Sequence, residues 1–290
     1  MKRILAPLNI LISNLLLCIA SFLLKKFTIV YAVPVLILFG SNLLASYPFF
    51  LEPRQHLTEA KPFFVLIFFW SLIYCFTYFV FAHFNQYLYV PHLMLAQAQA
   101  PFVVLFFKQS WRRDALKKEN LVEIILPSLF LFLLLYSLNG YDSFSWIKYA
   151  LTTVLMLAFI ASQYCYRAVS TGTPSVFQVM HTLVCSIMFL PFLLTESINA
   201  HTNLLYLAGG IVVIGVCIIL VQRGMLYGIN HTTPLFSALL ISTAIPISFI
   251  TEFLMNSKSG VTYWQLVMSA LYCVVIFVVH YRKGEALNIK

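Results

Sequence analysis

The chain has 290 residues, of which 61% are hydrophobic and 9% are charged, and its mean hydropathy is +0.91. Soluble globular domains carry about 25% charged and about 45–50% apolar residues, so this composition excludes a soluble protein. The net charge of +9 comes from 18 Lys and Arg against 9 Asp and Glu. The sequence therefore predicts an integral membrane protein with no room for a soluble domain.

Ten apolar segments, each bounded by polar or turn residues, are suited to cross a hydrocarbon core about 30 Å thick as helices. In chain order they cover residues 4–24, 28–50, 62–83, 86–107, 121–138, 145–166, 173–194, 203–222, 232–255 and 261–281. The first is too long for the apolar region of a cleavable signal and has no small-x-small cleavage site, so we interpret it as a membrane helix. The predicted fold class is all-α integral membrane, with ten transmembrane helices.

The basic residues are distributed unevenly between the two sides of this topology. If the N-terminus is cytoplasmic, the inner segments hold fourteen Lys and Arg, and the outer segments hold only Lys25, Lys26, Lys148 and Lys258. This positive-inside bias predicts that both termini are cytoplasmic, and we expect a bacterial inner membrane. The basic loop at residues 109–120 is interpreted as facing lipid headgroups, so membrane lipids are expected partners and nucleic acid is not.

The cysteines predict neither disulfides nor a metal site. They occur singly in apolar runs and form no C-x-x-C pair, which is typical of small core residues. We expect no metal and no cofactor. The six positions are Cys18, Cys75, Cys165, Cys185, Cys217 and Cys273.

Two segments of the chain share a spacing that indicates a duplication. Residues 85–101 and 230–246 both begin with Asn and end with Pro sixteen positions later, and they are offset by 145 residues, half of the chain. Shorter traces are residues 19–21 (Ile-Ala-Ser), repeated at 160–162, and Pro48-Phe49, repeated at Pro191-Phe192. Such repeats predict a two-part architecture.

The predicted repeats are a first five-helix unit, residues 1–142, and a second five-helix unit, residues 143–290. Because five is odd, the second unit enters the membrane from the opposite side, so the two copies are inverted. The loop after helix four is rich in Lys and Arg, whereas residues 256–260, after helix nine, contain a single Lys. Inverted repeats are typical of transporters with a central site between the two halves.

Residues 82–108 and 227–255 each contain a polar loop, a helix of small and polar residues and a mid-helix Pro. They resemble the fourth-helix and ninth-helix signatures of the drug/metabolite transporter superfamily, in its ten-helix EamA-type branch. The resemblance covers the whole chain in helix number and length, and it implies a secondary transporter, by similarity an exporter. Arg113-Asp114 and Lys258-Ser259 stand where members often have Gly-Glu, and the first helix lacks the glutamate that related small multidrug resistance proteins use for proton coupling.

Polar side chains at membrane depth should face a cavity, water or one another, because an unpaired polar group there costs about 2–7 kcal/mol. His92 and Gln99 share one face of helix four, and Gln178 and His181 share a seam of helix seven. We expect a cavity lined by such groups, with His181 suited to carry a proton; the alternative is hydrogen bonding that only holds the helices together. The predicted substrate-binding residues are Asn14, Trp70, Tyr74, Tyr78, His92, Gln99, Gln163, Gln178, His181 and Ser242, and the predicted hinges are Pro101 and Pro246.

Carboxylates are scarce in the predicted spans. Among the carboxylates within predicted spans, only Glu252 lies beyond the first turn of its span. It is near the outer end of helix nine, and we expect its side chain to reach the surface. A nearly neutral, polar and aromatic cavity suits zwitterionic or uncharged amphipathic metabolites such as amino acids or nucleosides. Gly224 and Gly228 are interpreted as a flexible helix end.

These patterns predict a secondary transporter, a monomer or homodimer, that exports a small metabolite by alternating access. The alternative is a membrane-embedded enzyme or a lipid flippase acting on a lipid-linked substrate. An enzyme would need clustered carboxylates, a His/Asp constellation or metal ligands. The dispersed His residues, with Asp114 and Asp142 as the only aspartates, do not form such a pattern, so we do not expect an enzyme.

Overall fold

The computed structural model describes residues 2–31, 34–85, 94, 174–193, 204–232, 234–255 and 261–283. These residues are helical apart from short connections, which confirms the all-α class for this part of the chain. A 3₁₀ turn at Lys61–Phe63 joins α4 to α5. The helices are α1 (Lys2–Tyr31), α2 (Pro34–Ala45), α3 (Tyr47–Leu51), α4 (Pro53–Ala60), α5 (Phe64–Asn85), α6 (Pro174–Leu193), α7 (Leu204–Asn230), α8 (Pro234–Ser242), α9 (Ala244–Met255) and α10 (Tyr263–Lys283).

Within these residues, four helical stretches are long and apolar enough to cross a membrane. They are Leu5–Lys26, Pro53–Phe76, Val176–Leu193 and Leu204–Asn230. Three further apolar stretches are shorter: Val35–Ala45, Leu239–Met255 and Tyr263–Ile276. The four long helices identify an integral membrane protein, as the composition predicts. The predicted spans at 86–107, apart from Met94, 121–138 and 145–166 lie outside the described residues.

Four predicted spans differ in extent from the helices of the structure. The second, residues 28–50, begins only at Pro34 and is divided at Ser46 into α2 and α3. The sequence predicts a loop after residue 24, but α1 continues to Tyr31, because no Gly or Pro lies between residues 24 and 31 and Lys is a good helix former. The eighth predicted span ends at residue 222, whereas α7 continues to Asn230. The ninth predicted span is divided at Thr243 into α8 and α9.

The polarity of the bundle is the reverse of that in a soluble protein. On α1, Leu5, Ile12 and Leu15 are exposed at 44–45%, whereas Ser13 and Asn14 are buried. A lipid-facing surface needs no polar groups, while polar side chains between helices find partners. Other polar residues buried in the described part are Ser21, Ser41, Asn42, Ser46, Ser71, Gln178, His181, Thr182, Ser186, Thr232, Ser237, Ser242, Thr243, Ser248, Thr251, Glu252, Gln265 and Ser269.

The described helices of residues 1–142 and 143–290 pack closely against one another. Helix α1 contacts α7, α8 and α9, and α2 lies between α6 and α7. Helix α6 also packs on α5, and α9 packs on α10. Contacts between the two segments are more extensive here than those among α1, α2 and α5, so the segments share one interior.

Helix α7 approaches α1 closely at two glycines. A Cβ at Gly224 would lie 3.2 Å from the Asn9 carbonyl oxygen, and one at Gly228 would lie 3.0 Å from that of Ala6. Both glycines lie inside α7, so the interpretation of a flexible helix end is wrong. They form a G-x-x-x-G contact, in which the missing side chains let two helix backbones approach.

Replacing Gly224 or Gly228 with Leu should destabilise the fold, because the added side chain would meet the backbone of α1. We expect a loss of about 1–3 kcal/mol, measured as a lower thermal unfolding temperature in detergent. Gly209→Leu is the matched control, because a Cβ there has no neighbour within 4 Å. Equal unfolding temperatures for all three variants would contradict the close contact.

Candidate functional site

The helix that contains Pro246 is broken inside the bundle. Proline has no N–H, so the Ser242 carbonyl loses the donor that a continuous helix would supply. Helix α8 ends at Ser242, and the Thr243 N–H donates to the Leu240 carbonyl at 3.1 Å, a 3₁₀-type bond. Helix α9 then begins at Ala244. The break exposes backbone carbonyls at a depth where other donors must satisfy them.

Asn14 of α1 supplies one of these donors. Its Nδ2 donates to the Leu240 carbonyl at 2.8 Å and lies 3.3 Å from the Ile241 carbonyl and 3.0 Å from the Thr243 Oγ1. The Thr243 hydroxyl donates its own hydrogen to Leu240 at 2.6 Å, so it can only accept from Asn14. The amide nitrogen is therefore fixed on the break, and Oδ1 points away from it.

The Oδ1 atom of Asn14 is a buried acceptor. Asn14 is fully buried, and Oδ1 has no hydrogen-bond partner among the residues that the structure describes. An unsatisfied buried acceptor costs about 1–3 kcal/mol, so a bound donor would stabilise this atom, and the same holds for the Oδ1 atom of Asn42. It suits the N–H or O–H group of a ligand or a water molecule.

Two further contacts hold the broken helix to its neighbours. The Ser242 hydroxyl donates to the Leu239 carbonyl at 2.6 Å and accepts from the Tyr272 hydroxyl of α10, also at 2.6 Å. The Cys18 thiol of α1 donates to the Ala244 carbonyl at 3.5 Å. Since residues 14 and 18 of α1 meet residues 240–243 and 244 in turn, α1 runs parallel to α8 and α9.

Replacing Asn14 with Leu should destabilise the protein, because the Leu240 and Ile241 carbonyls would lose their side-chain donor in the bundle interior. The expected loss is about 1–3 kcal/mol, read as a lower thermal unfolding temperature in detergent. Asn42→Leu is the control: this Asn is equally buried, but its Nδ2 bonds only to the Leu38 carbonyl of its own helix. If Asn42→Leu lowers the temperature as much, the Asn14 bonds add nothing to stability.

A second cluster surrounds His181 between α5 and α6. Its Nδ1 lies 3.0 Å from the Ser71 Oγ. The rings of Trp70 and Tyr74 meet the imidazole edge-on, with centroids 5.8 and 4.7 Å away, and Phe177 stacks on it at 6.4 Å. All five residues are buried. We call them the imidazole cluster.

The imidazole cluster is extended by sulfur contacts between the same helices. The Cys185 thiol lies 3.9 Å from the Ser71 carbonyl oxygen, and the Cys75 thiol lies 3.6 Å from that of Cys185. Ser71 pairs with His181 and Cys75 with Cys185, so the residue numbers rise together and α5 runs parallel to α6. The polar seam predicted on helix seven, which is α6 in the structure, therefore packs against α5 at His181. Gln178 of the same seam instead donates a hydrogen bond from Nε2 to the Ile219 carbonyl of α7 at 3.4 Å.

The predicted site residues fall into two groups in the described part of the chain. Asn14, Ser242 and Pro246 meet at the helix break, and Trp70, Tyr74 and His181 meet in the imidazole cluster, with Gln178 one turn from His181. The side chain of Tyr78, and all of His92, Gln99, Pro101 and Gln163, lie outside the described residues.

Glu252 does not reach the surface, so that expectation is wrong. Its side chain is fully buried on α9, near the buried Ser248 and Thr251. Its carboxyl group lies within electrostatic range of Lys25 of α1, a half-buried residue. The carboxylate is held inside because α1 extends past Lys25 as a helix and α9 packs along it.

Several site residues carry weaker sequence signals. Ser71 and Cys75 form a small-x-x-x-small pair, which indicates close helix contact. In α10, Gln265, Ser269 and Tyr272 follow the i, i+4, i+7 spacing of one helix face, and all three are buried.

Among the described residues, no group of three His, Cys, Asp or Glu is placed to hold a metal ion.

Comparison with known proteins gives a fold but no family. No protein-family model and no curated protein matches the chain. Fifteen chains of solved structures match it. One, a crystal structure of a protein, has a TM-score of 0.69 over 98% of this chain and 98% of its own, at 12% sequence identity. At this identity, the likeness shows that the two chains share a fold.

Proposed function

We propose that the protein is a secondary transporter built from two inverted five-helix repeats, residues 1–142 and 143–290, which moves a small zwitterionic or neutral amphipathic metabolite across a bacterial inner membrane by alternating access. The observation that carries this proposal is the broken helix α8–α9, held inside the bundle by a side-chain amide of the other half. Interrupted helices with unwound carbonyls at membrane depth are typical of transporter binding sites. By resemblance, the expected direction is export.

The directions of the described helices support the ten-span topology. Helices α1, α5, α6 and α9 belong to predicted spans one, three, seven and nine, which all cross in one direction. The pairs α1/α9 and α5/α6 are indeed parallel. Spans one and eight should be antiparallel. Gly224 of α7 approaches Asn9 of α1, whereas Gly228, further along α7, approaches Ala6, which is earlier in α1, so these two helices run in opposite directions. A fourth span of the first half would then oppose α9, as inverted repeats require.

The contacts between helices support the repeat itself. A shift of 144 positions carries Ser41 of α2 onto Cys185 of α6, and Ser71 of α5 onto Gly215 of α7. A Cβ at Gly215 would lie 3.1 Å from the Ser41 carbonyl oxygen, while the Cys185 thiol lies 3.9 Å from that of Ser71. If the two halves are exchanged, the contact between Ser41 and Gly215 becomes the contact between Cys185 and Ser71. A pseudo-twofold axis between the halves would relate the two contacts in this way.

The substrate class follows from the groups available at the break. Asn14 Oδ1 is suited to accept from an ammonium, amide or hydroxyl group, and the aromatic rings near His181 suit an apolar portion. Asn14, Trp70 and Tyr74 belong to the first half, whereas Leu240, Phe177 and His181 belong to the second, so each cluster joins surfaces that would move apart during alternating access. Amino acids and nucleosides carry both kinds of group.

Purified protein in proteoliposomes should move at least one radiolabelled compound from a panel of amino acids and nucleosides, and that compound should raise its thermal unfolding temperature. A panel that includes lipid-linked substrates tests the alternative of a flippase. If no panel compound is transported and none stabilises the protein, the transporter proposal is contradicted.

His181→Leu should lower the flux of the transported compound about tenfold or more, a change in barrier of about 1.4 kcal/mol, because the variant loses the Ser71 contact between helices of the two halves. His56→Leu is the control, because His56 is exposed on α4 and bonds only to its own helix at Glu52. Unchanged flux in a stably folded His181→Leu variant would assign the imidazole cluster to packing alone.

A further inference from the structure

The parallel seam between α1 and α8–α9 ends in two opposite charges. Asn14 and Cys18 contact the broken helix at Thr243 and Ala244. Lys25 lies seven residues beyond Cys18 and Glu252 eight residues beyond Ala244, so they stand about 10 and 12 Å further along two parallel axes. The geometry thus brings both residues to the same level of the same interface.

Burial makes this pair significant. Glu252 is fully buried and is the one carboxylate in α1, α8 and α9. A carboxylate at such a place is expensive unless a cation or hydrogen bonds compensate it. Lys25, from the other half of the protein, is near enough for the two charges to interact. Its four-carbon stem lets the ammonium group leave without any change in α1.

The pair has no counterpart in the other repeat. The offset of 145 that relates Pro101 to Pro246 places Phe107 at the position of Glu252. The offset of 141 that relates Ser21 to Ser162 places Tyr166 at the position of Lys25. The charges thus stabilise one end of the molecule, which the positive-inside bias predicts to be the outer end.

We propose that Lys25 and Glu252 form a charge lock that keeps the outer end of the α1–α9 seam closed, and that separates when the transporter opens to that side. The lock rests on the proposed transport function, because a seam between halves must open in alternating access. It biases the protein toward the state closed at that end, since opening there breaks an attraction between the two charges that is stronger in the bundle interior than in water.

Cys18 is a native reporter of the lock, because it is fully buried two turns deeper on the same seam. In protein with the other cysteines replaced by Ala and reconstituted in nanodiscs, a small water-soluble thiol reagent measures its accessibility. Neutralising both charges, in Lys25→Met/Glu252→Gln, should raise the labelling rate about tenfold, equivalent to about 1.4 kcal/mol. The double variant avoids leaving one buried charge unpaired.

The exchanged pair, Lys25→Glu/Glu252→Lys, should return the labelling rate toward that of the unchanged residues. Lys26→Met is the matched control: Lys26 is exposed, and its Nζ lies 5.1 Å from the Phe22 ring centroid. Its labelling rate should not change. An unchanged rate in the folded double variant, or an equal rise in Lys26→Met, would overturn the lock.

A thermal double-mutant cycle gives a second test for variants that fold poorly. Glu252→Gln should lower the unfolding temperature in the presence of Lys25, and by less in the Lys25→Met background, because the pair is coupled. Equal effects in both backgrounds would overturn the contact. Neither measurement needs a substrate, so a failed transport assay would count against the proposed function and not against the lock.

Discussion

The structure depends on one constraint, that backbone carbonyls beside the helix break at Thr243 must find donors where water is scarce. Asn14 meets it by placing Nδ2 on Leu240, and the hydroxyl of Thr243 completes the arrangement. This bond also fixes the register of α1 against α8–α9, because the amide fits only where the helix is interrupted. The position of Cys18 against Ala244, and further along that of Lys25 near Glu252, follows from that register.

The rest of the described bundle is held by close approach of backbones. Between apolar helices in lipid there is little hydrophobic gain on association, so packing and interhelical hydrogen bonds must provide the stability. Gly224 and Gly228 allow α7 to lie against α1, and Gly215 lets it lie against Ser41 of α2. Ser41 then reaches the Ile211 carbonyl at 3.1 Å. Small residues therefore decide which helices are neighbours, while polar ones hold them in register.

Sequence patterns predicted the helices well and their interior contacts less well. Hydropathy places the spans, because each must be apolar over its whole length, and it placed α5, α6 and α10 within a few residues. It did not place the end of α1, since lysines at a membrane surface are compatible with either a loop or a further helical turn. It also misplaced Glu252, because snorkelling is prevented only when a neighbouring helix covers the side chain, which is a tertiary property. Asn14 and His181 were identified because amides and imidazoles are rare at that depth, but Ser71 and Tyr272 needed the partner helix to become visible.

Two inverted halves with identical contacts would hold their two ends closed equally well, so any preference for one state must come from differences between them. The proline is the shared element in sequence, since Pro101 and Pro246 occupy equivalent places in the proposed repeat. The charges are the unshared element: Glu252 is replaced by Phe107 and Lys25 by Tyr166. If the proposed lock forms, a bias toward closure at one end needs no new fold, only the pairing of Lys25 with Glu252 at one end of the proposed repeat. Within α1, α8 and α9, Glu252 is the only acidic residue, so no second acid of these helices competes for the lysine.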